Sequence, residues 1–306
     1  MPEQRKSAGR PLVGGVGISN PQRVIDKASG ATKLALAEYY LAVADRLVPQ
    51  LAGRPLSIVR APEGVDGESF FQRHCGRLKM PHMHALPKNL DPEHARLIQA
   101  DNITAAIEAV QMGTVEFHTW NARSDRVERP DRVIFDLDPD PALPWSSMVE
   151  ATELTLQLLD DLGLQAFLKT SGGRGMHVVV PLDRRHDWDL ARQFARSVTE
   201  RLAREAPELI VDKMGPQNRV GRIFVDYLRN QRGASTVAAY SVRARPGLAV
   251  SVPVEREELA QLERADRWNI GNLDERLRAL RSDPWARYGA VRQGLTQALL
   301  KRLEKG

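Results

Sequence analysis

Residues 132–139, Arg-Val-Ile-Phe-Asp-Leu-Asp-Pro, form an apolar run that ends in two carboxylates one residue apart. Side chains alternate along a strand, so the run predicts Val133, Phe135 and Leu137 on one face and Ile134, Asp136 and Asp138 on the other. The pattern then predicts a helix from Ser146 to about Leu162 stopped by Gly163, and a strand from Leu164 to Thr170. A sharp turn follows at Ser171-Gly172-Gly173-Arg174-Gly175, with a β-branched strand leaving it over Met176–Val180. A helix from about Trp188 to Glu205 and a strand Arg222–Leu228 complete the order β-α-β-β-α-β. In the ferredoxin-like or RNA-recognition plan of that order, the first strand lies between the third and the fourth. Asp136 and Asp138, His177 and Asp226 then fall on three neighbouring strands.

The chain before this unit reads as mixed α/β. Residues 1–11 are polar and linker-like, and 12–306 reads as one folded part, divided into 12–130 and 131–306. Leu12–Ile18 predicts a short strand, Asn20-Pro21 a turn, and Thr32 an N-cap for a helix from Lys33 to about Leu47. Pro55–Arg60 predicts a strand. Asp91-Pro92 reads as a helix start, with the helical pattern running, with breaks, to Met112 and stopped by Gly113. Thr114–Trp120 predicts a strand with His118 on its more polar face. Past Leu228, a further strand region over Thr236–Arg245 would put Arg243 and Arg245 on one face. The tail from Glu255 is helix-rich and charged, with Trp268 and Trp285 expected to pack it back onto the body. The fold class expected is α+β.

Composition narrows the function only a little. Of 306 residues, 42% are hydrophobic and 27% charged, ordinary for a soluble globular protein. No apolar run approaches a membrane span, so a cytosolic protein without a membrane partner is expected. The single cysteine, Cys75, excludes an internal disulfide framework. The net charge of +5 favours a polyanionic partner modestly, with arginines near glycines and aromatics suited to bidentate phosphate contacts.

The Asp-x-Asp spacing puts the two Cα atoms roughly 6.6 Å apart, and the side chains could converge on cations separated by about 3.5 to 4 Å. Buried carboxylates need compensating charge, so their convergence with Asp226 fits either a metal-dependent phosphoryl-transfer site or a structural ion-pair network. Three glycines in the Ser171–Gly175 turn suggest backbone N–H groups open to an anion, with Ser171, Arg174 and His177 as further donors to a triphosphate. Arg23 and Lys33 sit around a helix start, where an anion would be favoured. Phe70 and Phe71 are adjacent aromatics after a loop, either partly core or a platform for a nucleic-acid base. His82-Met83-His84 has a spacing that metal sites use, without a visible third ligand.

The set Phe135-Asp136-Leu137-Asp138-Pro139, Ser171-Gly172-Gly173-Arg174-Gly175-Met176-His177 and Phe224-Val225-Asp226-Tyr227-Leu228-Arg229-Asn230 resembles the archaeo-eukaryotic primase superfamily. More closely, it is similar to the polymerase domain of bacterial ATP-dependent DNA ligase D, an enzyme of non-homologous end joining. The resemblance spans nearly the whole chain. It implies a primase-like core of the RNA-recognition type joined to an N-terminal α/β part, and a two-metal nucleotidyltransferase acting at gaps and broken DNA ends. It implies that Asp136, Asp138 and Asp226 hold two divalent ions, manganese preferred and magnesium possible. It places Ser171, His177 and Arg229 on the incoming nucleoside triphosphate, His118 by the sugar, and Arg243 and Arg245, more loosely, near the triphosphate or template. Arg23 and Lys33, assisted by Asn20, would take the 5′-phosphate of a DNA end while Phe70 and Phe71 stack on the template. Further partners implied are Ku and the ligase and phosphoesterase domains of a parent chain, in the nucleoid-associated cytoplasm. No Lys-x-Asp-Gly ligase motif occurs, so the chain is expected to polymerise but not to seal, as a domain excised from a larger enzyme. A non-catalytic DNA-end recognition module and a two-metal nuclease are the competing classes.

Overall fold

Two six-stranded sheets organise the chain. The computed structural model describes residues 9–76 and 80–305. A hairpin (β1, Leu12–Val13; β2, Val16–Gly17) precedes helices α1 (Lys33–Ala42) and α2 (Ala44–Leu51), strands β3 (Leu56–Arg60), β4 (Phe70–Gln72), β5 (His84–Ala85) and β6 (Ile98–Gln99), helix α3 (Ile103–Gln111) and strand β7 (Thr114–Trp120). Then come β8 (Arg132–Pro139), α4 (Trp145–Asp161), β9 (Phe167–Thr170), β10 (Met176–Pro181), α5 (Trp188–Glu205), β11 (Ile210–Val211), β12 (Ile223–Asp226), β13 (Ser235–Val237), β14 (Pro253–Val254), α6 (Leu273–Ala279) and α7 (Gln297–Lys305).

The second sheet has the order β11-β12-β8-β10-β9-β14. Its central four strands follow the β-α-β-β-α-β plan, with β8 between β12 and β10 as the element order predicts. The apolar face of β8 is buried, and Phe135 meets Phe194 of α5 edge-on at a ring-centroid distance of 6.3 Å. Burying such a side chain contributes about 1.5–3 kcal/mol, so this face fixes the strand and leaves the Ile134, Asp136 and Asp138 face committed to the site. Asn230 stands in where β12 has ended: it donates to the carbonyl of Ile134 and accepts from its N–H, at 2.7 and 2.8 Å.

The first sheet runs β13-β7-β3-β6-β5, with β4 also paired to β3. Here the structure departs from the sequence pattern in several places. The Leu12–Ile18 segment is a hairpin rather than one strand. The helix capped by Thr32, whose Oγ1 accepts from the N–H of Ala35, stops at Ala42; α2 then continues to Leu51, tolerating Pro49. No helix starts at Asp91. Residues around Leu97 pair with the sheet instead, through Cys75 N–H to the Arg96 carbonyl, Leu86 N–H to the Leu97 carbonyl and the Leu56–Ile98 register pair. Sheet pairing outcompetes the local helix signal, and α3 begins only at Ile103, capped by Asn102. Within the predicted strand region Thr236–Arg245 the structure has only the end of the short β13, which crosses to the first sheet and pairs with β7. Arg243 and Arg245 therefore share no strand; they lie in a turn where Arg245 N–H donates to the Arg243 carbonyl. Trp268 and Trp285 are buried as expected, and Trp285 donates from Nε1 to the Leu168 carbonyl. Among the described residues no helix is long and apolar enough to cross a membrane.

Candidate active site

Asp136 is the hinge of the site because it has a register partner on each side. Antiparallel pairing sets it opposite His177 on β10 and opposite Asp226 on β12. Residues directly opposite on antiparallel strands share a face, so one carboxylate, one imidazole and a second carboxylate line up across the sheet. Asp138 joins them two residues along β8. His177 Nε2 lies 3.2 Å from Asp136 Oδ1. Arg229, on the short turn after β12, reaches both carboxylates, with Nε 3.4 Å from Asp136 Oδ2 and 3.1 Å from Asp226 Oδ2. Arg219 is 3.9 Å from Asp138.

These cations do not neutralise the cluster evenly. Burial opposes ionisation of Asp136, but His177, Arg229 and Lys169 outweigh it and hold its carboxyl below the ordinary range. Asp138 is pushed up to about 7 by burial, with the adjacent Asp136 charge adding to the effect. Asp226 is raised by burial as well. Burial lowers His177 to about 4, helped by the Lys169 cation. The imidazole is thus neutral at pH 7, with Nε2–H donating to Asp136, and its buried Nδ1 has no partner among the described residues. Asp226 faces Asp136 in register and Asp138 follows two residues along β8, so the face carries an all-oxygen set of three carboxylates, with Asp138 raised toward neutrality first by burial and then by its neighbour. Hard divalent cations such as magnesium or manganese fit such a set.

The glycine turn works differently from the open cradle its composition suggests. Ser171 Oγ accepts from the N–H groups of both Gly173 and Gly175, each at 3.1 Å, so those two donors are already used. The arrangement leaves the Ser171 hydroxyl hydrogen free to donate outward. Only Gly172 of the three has positive φ, at 65°. Gly175 is required for space: a Cβ there would lie 2.0 Å from the Leu137 carbonyl oxygen, between the two carboxylate positions of β8.

A cavity of about 420 Å³ opens over this face and is lined by Asp136, Asp138, Ser171, His177 and Arg229, with His118, Arg174, Arg243 and Arg245 around it. His118 reaches it from β7 of the other sheet. Glu116, two residues earlier on the same strand, ties the rim together. Its carboxylate lies 2.6 Å from His118 Nε2, accepts from Arg243 Nε at 3.1 Å and takes the Ala244 N–H at 2.7 Å. Arg243 in turn donates to the Ser171 carbonyl at 2.7 Å. Sequence reasoning missed Glu116, Lys169 and Arg219. Glu116 was findable, since a buried acid at i−2 shares the strand face of His118.

The remaining predicted residues gather on the first sheet and the hairpin before it. Phe70 and Phe71 on β4 are 47% and 50% exposed, so neither is a core residue. Phe71 meets the His118 ring edge-on at 5.7 Å, which joins this aromatic surface to the cavity. Lys33 is buried at the start of α1, its Nζ donating to the Ser19 carbonyl at 3.1 Å. Burial first, then the charges of Arg23 and Arg10, push it down to about 8. Arg23 Nε has no partner among the described residues, and the first turn of α1 holds no acid. Asn20 takes a left-handed turn at φ 50° ahead of them. Val65 N–H bonds the Ile25 carbonyl at 2.7 Å, pinning the loop before β4 onto this basic segment. His82 and His84 do not converge: one imidazole meets Glu108 and the other Asp101.

Comparison with known proteins adds to this geometry. The family profile described as LigD, primase-polymerase domain, matches residues 32–285. The chain is 56% identical over 300 residues to the multifunctional non-homologous end joining protein LigD of Pseudomonas aeruginosa, covering 98% of this chain and 36% of that protein. It is 30% identical over 251 residues to the LigD protein of Mycolicibacterium smegmatis, covering 81% of this chain and 33% of the other. The chain thus spans about a third of the length of these curated relatives. Among solved structures, the polymerase domain from Mycobacterium tuberculosis ligase D in complex with DNA matches with a TM-score of 0.82 at 27% identity, over 90% of this chain and 98% of that one.

Proposed function

Because the chain belongs to the family of LigD primase-polymerase domains, we propose that it adds ribonucleotides or deoxyribonucleotides, directed by a template, to primer 3′-hydroxyls at gaps and broken DNA ends in non-homologous end joining. The observation that carries this reading is the register pairing of Asp136 with Asp226, with Asp138 alongside and the glycine turn facing them. Residues 12–306 form the working unit, and DNA ends with a 5′-phosphate are its substrate. Ku and the ligase and phosphoesterase domains of the relatives are its partners, in the nucleoid-associated cytoplasm.

Two divalent cations, manganese before magnesium, held by Asp136, Asp138 and Asp226, would supply the charge that activates the 3′-hydroxyl and stabilises the leaving pyrophosphate. The protein's own part is positioning. Ser171 donates its free hydroxyl hydrogen to a phosphate oxygen. An anionic triphosphate beside the ring would draw a proton onto His177 Nδ1, bare at pH 7 without it, and make that buried nitrogen a second donor while Nε2–H keeps the ring on Asp136. Arg229, Arg174 and Arg245 offer charge-assisted bonds to the triphosphate. His118, held by Glu116, lies beside the ribose, and Arg243 braces the turn from behind.

At the DNA end, Arg23 and Lys33 take the 5′-phosphate at the start of α1, with Asn20 shaping the approach. Phe70 and Phe71 stack on the template next to the sugar pocket.

A gapped duplex with a 5′-phosphate, incubated with labelled ribo- or deoxynucleotides and either manganese or magnesium, tests the reading. Templated extension that requires the metal is expected. Shortened products, or binding without turnover, would overturn it.

A further inference from the structure

Four of the chain's seven histidines lie between residues 74 and 94, outside the sheet that carries the three carboxylates. Two of them meet on one acid. Asp91 Oδ2 is 2.8 Å from His74 Nε2, and Asp91 Oδ1 is 2.8 Å from His94 Nδ1. The two imidazoles stack, with centroids 5.3 Å apart and planes at 21°. We propose that His74, Asp91 and His94 form a binding site for a zinc-type divalent transition metal, which clips the connection between β4 and β6 to the edge of the DNA-facing sheet.

The donor chemistry favours this class of ion. Two imidazoles and a carboxylate suit zinc and its borderline neighbours, and three protein ligands leave a fourth position to solvent. The three donor atoms all lie within 4.8 Å of one another. Tetrahedral zinc with bonds of about 2.0–2.1 Å spaces its donors by roughly 3.3 Å, so no separation needs to close by more than roughly 1.5 Å. His94 can make that movement, since its side chain is 62% exposed on a surface turn. Each imidazole must present a lone pair in place of its present hydrogen bond to Asp91, and zinc supplies the charge that the acid then faces. Lys88 Nζ is occupied by the carbonyls of Asp91 and His94 rather than by the carboxylate. Cys75, although adjacent to His74, packs against the hydrophobic core and is no part of the set.

The position gives the ion a role. His74 bridges to Leu97 immediately after β4, the strand that carries Phe70 and Phe71, and Asp91 and His94 lie on the returning segment. An ion shared by both would fasten the aromatic strand to the segment that leads into β6. This site stands apart from the proposed polymerase centre, which lies on the other sheet, and its test does not depend on that activity.

The test is a zinc titration of the metal-stripped chain in competition with a chromophoric chelator. It uses the Asp136→Asn, Asp138→Asn double variant, so that the carboxylate centre contributes little. One zinc equivalent is expected in that background. His94→Gln and His74→Gln should each weaken it at least roughly 10-fold, while His82→Gln should leave it unchanged. Amide hydrogen exchange in residues 84–99 should slow when zinc is added, and should not in the His94→Gln variant. Because His94 is exposed, that variant decides the matter even if His74→Gln unfolds. Absence of a zinc equivalent in the double variant, or equal affinity in His94→Gln and His82→Gln, would overturn the proposal.

Discussion

His177 and Asp136 face each other across adjacent antiparallel strands, with the imidazole Nε2 3.2 Å from the carboxylate Oδ1. The pair orients the ring so that its second nitrogen is buried and has no partner among the described residues, and the proposed function gives that nitrogen to a phosphate. Replacing His177 with Ala should lower kcat/KM for the incoming nucleotide by roughly 10- to 100-fold, the worth of a hydrogen bond to a charged group. DNA-end binding should be unaffected. Single-nucleotide addition kinetics beside fluorescence anisotropy with a gapped duplex make the comparison.

Glu116 is a positioning residue for both His118 and Arg243. Glu116→Gln should raise KM for nucleotide roughly 10-fold with a smaller change in kcat, because sugar and triphosphate contacts loosen while the carboxylate centre stays intact. Steady-state kinetics separate the two parameters.

The same acid makes a pH prediction. Burial works against its ionisation, but His118, Arg243 and the Ala244 N–H outweigh that and lower it from 4.5 to about 2. A carboxylate depressed in the folded state stabilises the fold above its unfolded value and loses that contribution as pH falls through the folded one. The contribution, roughly 3 kcal/mol, should therefore be complete above about pH 4.5 and gone below about pH 2. Urea unfolding across that window should show a shallower acid limb in Glu116→Gln than in the parent chain.

Gly175→Ala forces a Cβ onto the Leu137 carbonyl at 2.0 Å, which only a backbone shift of β8 can relieve. Overpacking of this kind costs about 1–3 kcal/mol. The shift lies between Asp136 and Asp138, so nucleotide addition should fall further than the lost stability explains. Urea midpoints and extension assays on one preparation test both.

Phe71 is half-exposed and contributes little to the core. Phe71→Ala should leave the unfolding midpoint nearly unchanged and weaken binding to a gapped duplex by about 1–3 kcal/mol, the value of one stacked base. Anisotropy titration at fixed salt measures it.

What the chain's pattern disclosed follows the range of the interactions involved. Strand alternation put Asp136 and Asp138 on one face, and the element order alone set β8 between the strands of His177 and Asp226, as the structure has them. Both depend on local periodicity and a short list of topologies. The Asp91 segment failed because a proline-linked cap signal is local, whereas the pairing of Leu97 and Ile98 with the first sheet is not. Arg243 and Arg245 are predicted on a strand and reach the cavity from a turn instead, with Arg243 and the Ala244 N–H held there by Glu116, over a hundred residues earlier in the chain. The glycine turn lines the cavity, but its N–H groups are not open as its composition suggests: the hydroxyl of Ser171 consumes two of them, which composition does not reveal. The histidine pair at residues 82 and 84 drew attention through spacing, while His74 and His94, twenty residues apart, are the pair that meets.

The most direct test of a shared cation site at Asp136, Asp138 and Asp226 is addition of one nucleotide to a 5′-phosphorylated gap in manganese by the Asp138→Ala variant, with binding to the same gap measured in parallel. Extension should fall by at least roughly 100-fold, to the level of the parent chain in excess chelator, while end binding largely survives. Full extension by Asp138→Ala would contradict it.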